Sequence, residues 1–110
     1  MINVDKAALI WCPCPDPDIA RELAETLLSE KLTACANIIP QITSVFEWNG
    51  KANTEAEAVL VLKTRGGLLD QATLRLGECH PYDTPAIVGW VCDTAHPATL
   101  GWLGGVLDDS

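Results

Sequence analysis

Apolar residues run without a polar break through "AALIWC", Ala7 to Cys12, and Pro13 and Pro15 follow. The segment reads as a buried strand ended by a proline-rich loop. Asp16 is placed to cap a helix whose first turn holds Pro17 and Asp18, where a missing N–H costs nothing and a carboxylate meets the positive helix end. Ile19, Leu23, Leu27, Leu28 and Leu32 then recur at helical spacing, with Arg21, Glu22, Glu25 and Glu30 between them, predicting a helix with one buried face. From Ala34 to Trp48 the chain is rich in β-branched and aromatic residues, and Pro40 interrupts it. This predicts a long strand with a bend or bulge at the proline.

Asn49-Gly50-Lys51 is a hairpin signal, and the return strand includes "EAVLVLKT", Glu57 to Thr64, whose consecutive apolar positions suit a central strand. Gly66 and Gly67 break it. A second helix is expected from about Leu68 to Glu78, with Leu69, Ala72, Leu76 and Cys79 on one side. "TPAIVGWVC", Thr84 to Cys92, reads as the last strand, and "ATLGWLGGVLDD" after Pro97 as a short terminal helix weakened by its glycines. The order is strand, helix, strand, strand, helix, strand and a terminal helix. Two right-handed βαβ crossovers joined by a hairpin give an α+β fold, the ferredoxin-like βαββαβ sandwich, with an antiparallel sheet and both helices on one face. The other sheet face is left bare, and the terminal helix is too small to roof it, so another subunit is the economical cover.

With 110 residues there is room for one domain, 1–110, and 48% apolar residues supply a core without disulfide staples. Fifteen acidic against seven basic side chains give a net charge of −8, which speaks against nucleic acid and anionic membranes as partners. No apolar stretch approaches the roughly 20 residues that span a bilayer. "MINVDKAALIWCPCP" carries an acid at Asp5 and too brief an apolar run for a signal sequence. Five cysteines is an odd number; free thiols in a reducing cytoplasm are expected, with Cys35 and Cys92 packing as small apolar residues.

Four stretches carry a resemblance: "EKLTACANIIPQITSVFEWNGK" (Glu30 to Lys51), "VLVLKTR" (Val59 to Arg65), "HPYDTPAI" (His80 to Ile87) and "HPATLGWL" (His96 to Leu103). From about Leu9 to Leu103 the chain resembles the CutA divalent-cation tolerance proteins. The resemblance implies a ferredoxin-like subunit assembling as a tight homotrimer, a part in the response to metal ions, and binding of copper or a similar divalent metal. In enteric members the metal-associated residues are a Cys ending the first strand and a His-His pair before Pro-Tyr. Cys12 and His80 match, and Cys79 stands where the other His would be, exchanging an imidazole for a soft thiol suited to Cu(I) or Zn(II).

The expected metal residues are therefore Cys12, Cys79 and His80, with Cys14 able to add a fourth ligand of tetrahedral zinc type. The end of the second helix is expected at the opposite end of the sheet from the loop after the first strand, which would make any joint site one shared between subunits. A second reading is a trimeric signalling protein with an inter-subunit cleft for a small molecule and no metal, drawing on Trp48, Glu57, Lys63, Tyr82 and Asp83. Each of these five has a plainer role in packing or pairing across an interface. Catalysis is not expected: Cys79 and His80, adjacent in extended chain, point to opposite faces, and no glycine-rich oxyanion loop lies nearby. Trp11, Trp90 and Thr99 depart from the family pattern where a smaller residue, a proline and an aromatic are expected.

Overall fold

Strand β1, Ala7–Cys14, runs through the middle of a four-stranded sheet and fixes the rest of the fold around it. The computed structural model describes residues 6–107; Asp5, and Asp108 and Asp109 of the expected terminal helix, lie outside the described residues. After β1 come α1 (Pro17–Ser29), β2 (Cys35–Trp48), β3 (Lys51–Arg65), a 3-10 turn (Gly66–Leu68), α2 (Leu69–Cys79), β4 (Val88–Val91) and α3 (Pro97–Leu107). The sheet order is β2-β3-β1-β4 with every pairing antiparallel, which is the ferredoxin-like α+β topology.

β1 outlasts its expected end by two residues, because the missing N–H of Pro13 falls on the harmless side. Gly66 N–H donates to Lys6 O at 2.8 Å from the β3 side, and Cys92 N–H donates to Ala7 O at 2.8 Å from the β4 side. Backbone groups alternate along an antiparallel strand, so even positions of β1 bond β3 and odd positions bond β4. Pro13 is odd, and its partner on β3, Val59, asks nothing of its nitrogen. On the β4 side the ladder stops at Trp11↔Val88, since the next donor would be Pro13 itself. Thus β4 is four residues long, against the expected Thr84 to Cys92, and the Pro13 carbonyl is left open for another partner.

Helix α1 begins as its sequence requires, with Asp16 Oδ1 accepting from Ile19 N–H at 2.8 Å and Pro17 in the first turn. It ends at Ser29, so Leu32 is not a helical position. Lys31 takes a left-handed φ of 58°, Leu32 N–H bonds Leu27 O at 2.9 Å and Lys31 N–H bonds Leu28 O at 3.1 Å. This Schellman closure drops Leu32 into the core beside Leu27, whereas Leu28, expected on the buried face, is exposed. Between Ile39↔Val59 and Ile42↔Glu57, β2 carries one residue more than β3, the bulge expected at Pro40. Asn49 and Gly50, at φ 52° and 77°, close the hairpin between Trp48 and Lys51 as a two-residue turn.

Both long helices cover one sheet face. Ile10, Cys12 and Cys14 of β1 and Leu60 and Leu62 of β3 pack there against Leu23, Leu27, Ala72 and Leu76. Arg75 of α2 reaches across with a bidentate fork to Glu30 at 2.8 and 2.9 Å, and it holds the Glu30 carboxyl below its ordinary range. Helix α3 forms over eleven residues despite its glycines, its start braced by Ala98 N–H donating to His96 Nδ1 at 3.0 Å. It buries Leu103 and Leu107 against Ala7 at one end of the opposite face. Beyond that end, Leu9 and Trp11 of β1 lie between Lys63 and Val61 of β3 and Trp90 and Val88 of β4. Val88 is 57% exposed and Trp90 45%. This side of the sheet is apolar and uncovered within the subunit. No helix among the described residues is long and apolar enough to cross a membrane.

Candidate functional site

Cys12 and Cys14 are two apart on one strand, so their side chains share the helix-facing side, and both are fully buried. His80 follows the last residue of α2 with extended backbone, φ −69° and ψ 140°, which turns its ring away from the helix and toward β1. The two sulfur atoms and an imidazole nitrogen lie within 4.8 Å of one another, and all three residues are buried.

This meeting within one subunit corrects the expected placement of the α2 end at the far end of the sheet. β3 is antiparallel to β1 and α2 is antiparallel to β3, so α2 runs in the direction of β1 and delivers His80 to the end where β1 finishes. The sequence holds that signal in its element order. A second correction concerns Cys79. As the last helical residue it keeps to the α1 side, lining a shallow groove of about 220 Å³ with Ile19, Glu22, Leu23, Thr26 and Pro81, and it stands outside the thiol–imidazole group. Cys14, two positions along the strand from Cys12, takes the place expected of Cys79.

The hydrogen bonds around His80 define its tautomer. Tyr82 N–H donates to Nδ1 at 3.2 Å, and a backbone N–H cannot accept, so Nδ1 carries the lone pair and Nε2 the proton. Nε2 then donates to the open Pro13 carbonyl at 2.8 Å. Both ring nitrogens are committed. The Tyr82 ring lies against His80, centroids 4.7 Å apart, and its hydroxyl donates to Glu57 Oε2 at 2.8 Å. Burial, then the bond to the Glu57 carboxylate and its charge, push the Tyr82 phenol above its ordinary value.

The two thiols are not equivalent. As a neutral thiol Cys14 donates to Cys12 O at 3.3 Å. Of the two, Cys14 ionises first: its hydrogen bond with the Cys12 side chain holds it below an ordinary thiol, against the opposing effect of burial. The same hydrogen bond, with burial, pushes Cys12 far upward. A strand end that brings two buried thiols and an imidazole together has the donor set of a soft-metal site.

The remaining expected residues divide. Glu57 and Tyr82 meet beside this group. Trp48 stands 66% exposed at the hairpin tip, and Asp83 is exposed in the turn after Tyr82. Lys63 is six positions from Glu57 on β3, about 20 Å away along an extended strand, where its carbonyl takes Ala34 N–H and Thr33 Oγ1–H. One subunit thus assembles the thiol–imidazole group and its Tyr82–Glu57 flank, and it does not gather the five cleft residues.

A ferredoxin-like α+β subunit with a buried sulfur and nitrogen donor group where its first strand ends is the class that this fold and site define. The family model for the CutA1 divalent ion tolerance protein matches residues 8–105, and the chain belongs to that family. It is 36% identical over 108 residues to the divalent-cation tolerance protein CutA of Citrobacter koseri, covering 96% of this chain and 92% of that one. To the protein CutA homolog of Xenopus laevis it is 34% identical over 99 residues, 90% of this chain and 66% of that protein. The chain spans 54% of the mouse protein CutA, so about half the length of that relative lies outside the match. Among solved structures, the divalent ion tolerance protein CutA1 from Ehrlichia chaffeensis superposes with a TM-score of 0.89 at 33% identity, covering 94% of this chain and 96% of that one. CutA1 from Oryza sativa gives 0.88 at 35% identity, covering 96% of each.

Proposed function

We propose that this chain is a non-catalytic, metal-responsive subunit that captures copper or a similar soft ion at Cys12, Cys14 and His80, works in the cytoplasm, and assembles as a homotrimer. One observation carries the reading: three buried ligand atoms of the right chemistry within 4.8 Å of one another. The names of the relatives, which speak of divalent-cation tolerance, point the same way. Two sulfurs and one imidazole nitrogen fit a thiophilic ion, which when bound would cross-link β1 to the end of α2. The residues do the preparatory work. Cys14 supplies the first thiolate, and Tyr82 and Pro13 hold the His80 ring in one orientation until one of its nitrogens exchanges a hydrogen bond for the ion. Assembly is supported by the apolar sheet face left open around Trp11, Val88 and Trp90, of the kind a monomer seldom exposes.

Metal titration followed by native mass spectrometry on wild type, His80→Ala and Cys12→Ser tests the reading. Uptake by wild type that falls in both variants supports it. Equal stoichiometry in all three would take these residues out of the site, and no uptake by wild type would leave the small-molecule cleft as the better reading. In that second reading Trp48, Lys63 and Asp83 have to reach the Glu57–Tyr82 pair from another subunit. Sedimentation gives the assembly, and a stable monomer at micromolar concentration would contradict it.

A further inference from the structure

We infer that Cys12 and Cys14 form a reversible dithiol, closed to a disulfide by a hydroperoxide and so placed that closing it takes the Pro13 carbonyl away from His80. No metal takes part, and the step stands or falls apart from ion capture. The two thiols sit two positions apart on one face of β1, and their sulfur atoms lie within 4.8 Å of each other. Cys14 already leans back along the strand, its S–H donating to Cys12 O at 3.3 Å.

Closing the ring asks the backbone to shorten. Residues two apart on an extended strand have Cα atoms about 6.7 Å apart, at the upper limit of what a disulfide spans, and a relaxed bridge wants about 5.5–6 Å. Ladders on both sides of a strand would resist that change. Here the β1–β4 ladder stops at Trp11↔Val88, Pro13 has no N–H to lose, and its carbonyl is held by the His80 ring at 2.8 Å in place of a neighbouring strand. What resists is the β3 side, where Cys12 and Cys14 pair Leu60 and Ala58. A bend at Pro13 therefore swings its oxygen off His80 Nε2 while the pairing with β4 is kept. The strain left in the ring makes the bridge easy to reduce, as in regulatory disulfides.

The reactant has to be small, because Cys12 and Cys14 are 0% exposed and His80 8%. Hydrogen peroxide, little wider than a water, can arrive along the border formed by Pro13 O, His80 and the Tyr82–Glu57 pair, whereas the sulfur of oxidised glutathione cannot be brought in line with a buried thiol. One thiol, as its thiolate, takes the terminal oxygen of the hydroperoxide and becomes a sulfenic acid, and an alcohol leaves, or water when the reactant is hydrogen peroxide. The second sulfur then displaces that oxygen as water and the S–S bond forms. The two thiols lose two electrons, the hydroperoxide gains them, and one thiol proton ends on each of the two released molecules.

The test uses the full, metal-free chain, exposed to hydrogen peroxide or to oxidised glutathione, with peptide mapping by mass spectrometry and NMR of isotope-labelled imidazole. Peroxide should remove about two mass units, protect Cys12 and Cys14 from alkylation, and do so at least about tenfold faster than oxidised glutathione. Dithiothreitol should restore both thiols. The His80 ring signals should move with closure in wild type and stay in place in peroxide-treated Cys14→Ala. A variant carrying Cys35→Ser, Cys79→Ser and Cys92→Ser should close its remaining pair as wild type does. A bridge that includes one of those three cysteines, sulfinic acid at Cys12 or Cys14 with no bridge, or a pair that stays reduced while Cys79 is oxidised overturns the dithiol. Closure by oxidised glutathione as fast as by peroxide overturns the assignment of the reactant, and a bridge that leaves the His80 signals unmoved overturns the coupling through Pro13.

Discussion

His80 Nε2 donates to the carbonyl of Pro13 at 2.8 Å, joining residues 67 positions apart. Both partners are there for reasons of backbone chemistry. Pro13 ends the β1–β4 ladder because it lacks an N–H, which leaves its own oxygen unclaimed, and His80 is the first residue released from α2 into extended chain. The same ring accepts Tyr82 N–H at 3.2 Å, so one side chain satisfies two backbone groups that no strand or helix serves.

Replacing His80 with alanine should therefore weaken the apoprotein as well as any metal site. Leaving one carbonyl and one N–H without partners in a largely buried place costs about 2 kcal/mol. A urea titration of metal-free protein, at fixed protein concentration, reads it as a lowered midpoint with an unchanged slope. A shift worth less than about 0.5 kcal/mol would mean that water replaces the ring without loss.

Lys31 offers the opposite sign. Its φ of 58° closes the Schellman motif that seats Leu32 beside Leu27, in a conformation that an L side chain adopts only at a cost. Lys31→Gly removes that cost and is expected to raise stability by about 0.5–1 kcal/mol, since the strain relieved exceeds the entropy that glycine gains in the unfolded chain. Thermal denaturation at neutral pH gives the answer, and a fall in the midpoint would contradict it.

Much of the fold was legible because its signals are local. Ile19, Leu23 and Leu27 mark one helix face, Asp16 and Pro17 mark its start, Pro40 marks the bulge, and Asn49-Gly50 marks the hairpin. What sequence reasoning missed depends on relations between elements. Thr84 to Ile87 look like strand and are not, because the neighbour they would pair with is Pro13. Leu28 and Leu32 fit a helical period, yet the chain leaves the helix between them. The site suffered most: Cys12, Cys14 and His80 come together only once the direction of α2 relative to β1 is worked through β3. Cys79, adjacent to His80 in sequence, is parted from it by one change of backbone conformation.

Tyr82 is the single tyrosine of the chain, so its titration can be read without interference. Burial and the bond to Glu57 raise its folded pKa above the ordinary 10.0. The folded state then holds the phenolic proton more tightly than the unfolded state. The contribution is complete below pH 10.0 and is lost as pH rises beyond it toward the folded value. Ultraviolet difference absorbance should place phenolate formation above pH 10.0 in the native protein and near it in urea. Tyr82→Phe should make stability flatter across the same alkaline range. A native midpoint at the ordinary value would show that the Glu57 contact is not kept in solution.

Gly89 shows how tightly α2 sits on the short edge strand. A methyl group at this position of β4 would stand 2.8 Å from Leu69 Cδ1, 3.1 Å from the Leu9 carbonyl oxygen and 3.3 Å from Ile10 Cγ1. Leu69 can turn aside, but Leu9 O belongs to the backbone of β1, so β4 has to shift on its partner. Gly89→Ala is expected to cost about 1–3 kcal/mol, the range of overpacking in a well-filled core. Because β4 spans only Val88–Val91 and pairs β1 over Ala8 to Trp11, hydrogen exchange should show the loss first in those amides, ahead of the β2–β3 hairpin. Uniformly faster exchange across the sheet would mean that the whole fold, and not the edge strand, absorbs the strain.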